Sequence, residues 1–256
     1  MSGNSNRSRL LLKFEGLYRH LFMRFFADSE DSIRLVEFPK SGGSWVAEML
    51  SDVCGIDFPR NTFPVKRKSI FHGHSLIKGG FERTVVVWRD PRDVMVSWYH
   101  HCIIGNSHVN PSFIEQCRKS FGVSDYDDIK KNMAAFIRWA FDTPPSPGFN
   151  WSDFFDAWEK NAAEWVRYED LRTNPVETLS DLAFRITGNN PELNVVREVV
   201  ERHSFKNKSG RKYGQEDKGS FLRKGAVGDW RNYFDEECLT EFEKRVGSRM
   251  EKLGYQ

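Results

Sequence analysis

The chain has 256 residues, with 38 Lys and Arg against 36 Asp and Glu, and 14% aromatic residues. That length can bury a full core as one domain. The near-cancelled charge excludes a global nucleic-acid-binding surface, so any anion site must be a local cluster. No run reaches the ~18 apolar residues of a membrane span. Cys54, Cys102, Cys117 and Cys238 are scattered, with no C-x-x-C. They read as free thiols of a reducing, cytoplasmic compartment, not as a disulfide or zinc framework.

Residues 1–32 form a separate N-terminal piece, a polar tail followed by LLLKFEGLYRHLFMRFF at 10–26. Charged residues interrupt that apolar run in the manner of an amphipathic helix. Two readings stand: a helix packed on the domain, or an interfacial helix that meets a membrane or a lipid-like acceptor. The domain proper spans 33–256. Its first strand is predicted over Ile33–Phe38, and a helix follows with Trp45, Val46, Met49, Leu50 and Val53 at helical spacing. Between them lie Pro39, Lys40, Ser41, Gly42, Gly43 and Ser44. A short glycine loop entering a helix aims backbone N–H groups and the positive end of the helix dipole at one point, which suits an anion. The nucleoside-triphosphate loop would need G-x-x-x-x-G-K-[ST], with its lysine at the helix start. Here Lys40 stands on the strand side.

Residues 69–74, SIFHGH, read as a short strand with His72 and His74 on one face. No third ligand accompanies them, so no metal site is read. Thr84–Trp88 is a continuous apolar run, as in a central parallel strand. Asp90 is a good N-cap, Pro91 suits the first helical position, and Arg89 stands at the strand's end. Ser97 lies two turns further along the same helix face. Residues 102–128 look irregular, 129–141 helical, and 142–150 (DTPPSPGFN) turn-rich. A strand is predicted over 163–171, with helices from about 174 to 186, over 193–204 and near 236–252. Residues 206–220 read as a basic surface loop, either a solvated charge run or a lid over an anion.

Six stretches together resemble the PAPS-dependent sulfotransferases of the cytosolic type. They are FPKSGGSW at 38–45, GHSL at 73–76, RDPRDVMVSWY at 89–99, YEDLRTNP at 168–175, HSF at 203–205 and RKGAVGDWRNYF at 223–234. The family's K-T-H-[LF]-P pattern is altered here, with His72 in the lysine place and Ser75-Leu76 in the last two. The resemblance implies an α/β fold in a single domain, with a mainly parallel central sheet flanked by helices. It implies 3′-phosphoadenosine-5′-phosphosulfate (PAPS) as sulfuryl donor, 3′,5′-ADP as product and no metal. It further implies that Lys40, Ser41, Gly42, Gly43, Ser44 and Trp45 meet the 5′-phosphosulfate. Arg89, Ser97, Arg223, Lys224 and Gly225 would meet the 3′-phosphate. Trp45, Tyr168 and Phe205 would surround the adenine, and Ser204 would also belong to the cofactor site. His74 would be the general base that activates a hydroxyl or amine of a small-molecule acceptor. The acceptor loops would be 10–26, 56–65, 102–128 and 142–158. Their aromatics Phe113, Phe121, Tyr126, Phe149, Trp151 and Phe154 are either pocket walls or core packing. Oligomeric state stays open. The alternatives are a nucleoside-triphosphate-dependent kinase, which the position of Lys40 disfavours, and a non-catalytic nucleotide-binding protein of the same fold.

Overall fold

Alternation of apolar strands with amphipathic helices sets the architecture. In chain order, β1 (Ile33–Glu37) leads to α1 (Gly43–Cys54), then β2 (Ile70–Gly73), β3 (Thr84–Trp88) and α2 (Pro91–Tyr99). A π-helical turn (His100–Ile104) continues α2, followed by α3 (Pro111–Phe121), α4 (Ile129–Asp142) and α5 (Trp151–Trp158). Next come β4 (Glu164–Arg167), α6 (Tyr168–Thr173), α7 (Pro175–Thr187), α8 (Leu193–Arg202) and α9 (Phe205–Ser209). A 3₁₀ turn (Asp229–Asn232), α10 (Glu236–Val246) and α11 (Arg249–Lys252) close the chain. The computed structural model describes Phe14 and residues 32–60, 68–77, 83–106, 108–161, 164–217, 219–220 and 222–256. Apart from Phe14, the amphipathic segment 10–26 lies outside the described residues.

The four strands are all parallel, in the order β2-β1-β3-β4. β1 and β3 are central, and all five residues of each are buried. Their side chains alternate between two cores, as the strand period requires. Ile33, Leu35, Val85 and Val87 pack with Val46 and Leu50 of α1 and Leu179 and Leu182 of α7. Val36, Val86 and Trp88 pack on the other side with Met95, Phe136, Phe154 and Phe155. Each such fully buried aliphatic side chain contributes about 1.5–3 kcal/mol. Because β1 has β2 on one side and β3 on the other, the chain leaves these two central strands in different directions. A crevice opens at their carboxyl ends, where open α/β sheets place their ligands. Among the described residues, no helix is long and apolar enough to cross a membrane.

Several boundaries differ from the sequence expectation, each for a local reason. The strand predicted over 163–171 ends at Arg167. Glu169 and Asp170 sit in the first turn of α6, where acidic side chains favour a helix start. Within the stretch read as irregular, Asn110 caps α3, Pro111 opens it and Gly122 closes it in the left-handed conformation. The expected 236–252 helix divides at Gly247 into α10 and α11. The helix predicted to 204 stops at Arg202, and Ser204 then caps α9, which takes up the first residues of the expected basic loop.

Candidate functional site

A cleft of about 640 Å³ opens at the carboxyl ends of β1 and β3. β1 delivers the loop 38–42 to it, and α1 begins at the far side of that loop. Gly42 holds φ at +97°, and a β-carbon there would lie 2.7 Å from the Tyr168 ring, so only glycine fits. Lys40 also adopts a left-handed φ, 74°, unusual for a side-chain-bearing residue. That conformation costs about 1–2 kcal/mol and is held by Arg89, whose Nη1 donates to the Lys40 carbonyl at 2.9 Å. Burial lowers the Lys40 pKa to about 8, with Glu37 opposing the shift.

Glu37, at the end of β1, lies beneath the loop. Its carboxylate accepts from the Gly43 N–H at 2.5 Å and bonds His72 Nε2 at 2.9 Å. Burial opposes its ionisation, but the hydrogen bond and charge of His72 outweigh that, and its pKa lies below the usual range. The first N–H of α1 is therefore taken by the protein's own carboxylate. His74 follows β2 and bonds the Glu37 carbonyl through Nδ1 at 3.0 Å. A carbonyl can only accept, so Nδ1 carries the proton and Nε2 holds a lone pair. The ring is accessible from within the cleft, yet the protein around it desolvates it. That burial lowers its pKa below 6.5, against the pull of Glu37, so His74 is neutral at pH 7.

The opposite rim comes from the C-terminal third. Arg89 lies over the Tyr168 ring at 4.5 Å and donates to the Ala226 carbonyl at 3.3 Å. Its Nε is buried without a hydrogen-bond partner among the described residues. Asp93 of α2 accepts from the Gly228 N–H at 2.7 Å and the Trp230 N–H at 2.9 Å, which fastens the 225–230 turn to α2. The buried Asp229 carboxylate bonds Arg223 at 2.6 Å and also Lys224. Burial opposes its ionisation, but the Lys224 and Arg223 bonds prevail and its pKa is lowered. Gly225 has φ +64°, and a β-carbon there would lie 2.6 Å from Phe205. Tyr168 meets Trp45 edge-on at 5.6 Å and donates to the Gly225 carbonyl at 3.3 Å. Trp45 Nε1 in turn donates to the His203 carbonyl at 2.8 Å.

Of the residues singled out in sequence, Lys40, Gly42, Ser44, Trp45, His74, Arg89 and Ser97 line this cleft, as do Tyr168, Phe205, Arg223, Lys224 and Gly225. Ser41 is buried within the loop and Gly43 is buried at the start of α1, and Ser204 accepts from Asn207 N–H as the cap of α9. Among the aromatics left between pocket and packing, Phe113 reaches the cleft. Phe149, Trp151 and Phe154 are buried in the core with Phe38 and Trp88, and Phe121 and Tyr126 pack against that core. Sequence reasoning passed over Glu37 and His101, and it matched Asp93 and Asp229 to the family stretches without giving either a role in the site. The first could be sought as a lone acid in an apolar strand. His101 had no local signal of its own, whereas Asp93 and Asp229 were marked by the family stretches around them.

Comparison with known proteins bears on the fold and the family. A family model described as the sulfotransferase domain matches residues 76–254, beginning just after His74. Flavonol 3-sulfotransferase of Flaveria bidentis is 22% identical, over 95% of this chain and 91% of its own length. The crystal structure of mouse sulfotransferase SULT7A1 complexed with PAP superposes with a TM-score of 0.64 at 20% identity, covering 90% of this chain and 87% of that one. Retinol dehydratase in complex with androsterone and PAP superposes with a TM-score of 0.51 at 16% identity, covering 90% of this chain and 83% of that one. The chain therefore belongs to the PAPS-dependent sulfotransferase family.

Proposed function

We propose that this sulfotransferase carries the sulfuryl group of PAPS to a hydroxyl of a small, ring-bearing acceptor, with His74 as general base. The observation that carries the reading is convergence: His74, Lys40, Arg89, Arg223 and Lys224 come from four separate stretches and face one cleft. In the reaction the acceptor hydroxyl gives its proton to His74 Nε2 as its oxygen attacks sulfur. The bond from sulfur to the 5′-phosphate oxygen breaks, and its electron pair leaves with 3′,5′-ADP. Lys40 and the N-terminus of α1 neutralise the charge that develops on that oxygen. A neutral imidazole with its Nδ1 proton held by a carbonyl is already in the tautomer a base needs. Arg89, Ser97, Arg223 and Lys224 hold the 3′-phosphate, while Trp45, Tyr168 and Phe205 enclose the adenine. Ring-bearing acceptors are supported by Trp98, Phe113 and Pro147, which also line the cleft, and by the flavonol and androsterone named for the similar proteins.

Melting curves with 3′,5′-ADP, ADP and magnesium-ATP test the donor assignment. A ligand at 100 times its Kd adds about 2.7 kcal/mol of stability. Stabilisation by 3′,5′-ADP is expected, and stabilisation by magnesium-ATP alone would replace this reading with phosphoryl transfer. His74→Ala is expected to lose turnover while retaining 3′,5′-ADP binding. Wild-type turnover in that variant would remove His74 from the mechanism.

A further inference from the structure

The acceptor end of the cleft holds a histidine that the donor chemistry leaves unused. His101 lies in the π-helical turn His100–Ile104, a geometry concentrated at functional positions. That turn is braced from α3, where Arg118 Nε donates to the Ile103 carbonyl at 2.8 Å. The His101 ring stacks on Trp98 at 5.1 Å and 11°, and meets Phe113 at 5.9 Å. These two rings fix its placement. His101 lines the cleft, and its Nδ1 is buried with no hydrogen-bond partner among the described residues. The nitrogen left to the cleft is Nε2.

We infer that His101 presents an Nε2–H donor to the acceptor, and so selects ring-bearing acceptors that carry a second oxygen besides the reacting hydroxyl. A carbonyl, ether or further hydroxyl oxygen would serve. The inference rests on the sulfotransferase reading of this cleft. Its first support is tautomeric. An orphaned buried N–H is rarer than an under-satisfied acceptor, which places the proton on Nε2 rather than on Nδ1. Its second support is charge. Burial, together with the charges of Lys40 and His74, lowers the His101 pKa to about 4, so the ring is neutral at pH 7 and offers a single N–H. The two histidines are then complementary. His74 turns a lone pair to the cleft and His101 turns a donor to it. A neutral donor suits a neutral oxygen. The rings beside it, Trp98 and Phe113, suit the flat apolar body that carries that oxygen.

The test compares 2-naphthol with 6-hydroxycoumarin, 7-hydroxycoumarin and 2,3-dihydroxynaphthalene, which add an oxygen at different positions. Two readouts are taken: kcat/KM with PAPS, and Kd for each compound on the 3′,5′-ADP-loaded protein. His101→Phe keeps the ring stack and removes the donor; His101→Gln keeps an N–H donor. For at least one oxygen-bearing compound, the preference over 2-naphthol is expected to fall roughly tenfold in His101→Phe, the loss of one hydrogen bond. It should recover partly in His101→Gln. Preferences unchanged in His101→Phe would overturn the inference, as would failure of all four compounds to bind the loaded wild-type protein. The binding arm separates this result from the catalytic reading. Binding preferences that depend on His101 without any turnover would count against sulfuryl transfer alone, and turnover with unchanged preferences would count against His101 alone.

Discussion

The Glu37–His72 pair beneath the anion loop can be dissected by a double-mutant cycle. Glu37 has 5% of its side chain exposed and His72 has 15%, so solvent screens the pair little. The carboxylate takes two hydrogen bonds, from Gly43 N–H at 2.5 Å and from His72 at 2.9 Å. A hydrogen bond to a charged group contributes about 1.5–3 kcal/mol, and stripping one member from a buried pair costs about 3–5 kcal/mol. Glu37→Ala is therefore expected to destabilise the protein by about 3–5 kcal/mol, a fall in Tm of roughly 6–20 °C for a domain this size. His72→Ala removes one of the two bonds and is expected to cost about 1.5–3 kcal/mol. The double variant should cost about 1.5 kcal/mol or more below the sum, because each single variant already breaks the shared bond. Urea denaturation of the four proteins measures this coupling. Additive costs would show that the two side chains act independently, and the account of the loop's support would be wrong. Glu37→Ala should also weaken 3′,5′-ADP binding, since the start of α1 loses the bond that orients it.

Three further outcomes follow from the site. The turnover profile should be bell-shaped: kcat/KM falls on the acid side below pH 6.5, where the lowered His74 takes a proton, and on the alkaline side near pH 8, where Lys40 loses one. An acid limb above pH 7 would contradict the assignment of His74. Asp229→Asn releases the carboxylate that holds Arg223 and Lys224 side by side, and is expected to weaken 3′,5′-ADP binding about tenfold by calorimetry; equal or tighter binding would show that Asp229 competes with the ligand instead of arranging its cations. Gly225→Ala places a methyl 2.6 Å from Phe205 at a left-handed φ, and is expected to lower stability by about 1–3 kcal/mol and to reduce nucleotide affinity. A variant with wild-type Tm and affinity would mean that the turn relaxes freely.

The parts of the site that could be read without coordinates were those carried by short contiguous patterns. The strand into Lys40, the glycines and the helix after them are one local unit, as are Trp88, Arg89, Asp90 and Pro91. Each is governed by backbone periodicity, capping and glycine or proline sterics, which depend on neighbours in the chain. The pattern of α3 was present too, in Asn110, Pro111 and Gly122, but the glycines and asparagines around it masked a helix with only Cys117 fully buried.

By itself, then, the order of residues determined the strand–loop–helix units, the family pattern and the cleft-facing side chains within those units. Tertiary structure alone decided what pairs with what. Glu37 takes His72 from 35 positions away, and Asp93 takes Gly228 N–H from 135 away. It also sorted the aromatics, sending Phe113 to the cleft and Phe154 into the core. Composition treats those two rings alike. The difference is whether the parallel sheet and its crossing helices leave a given ring facing protein or open space, and that is fixed only when distant segments meet.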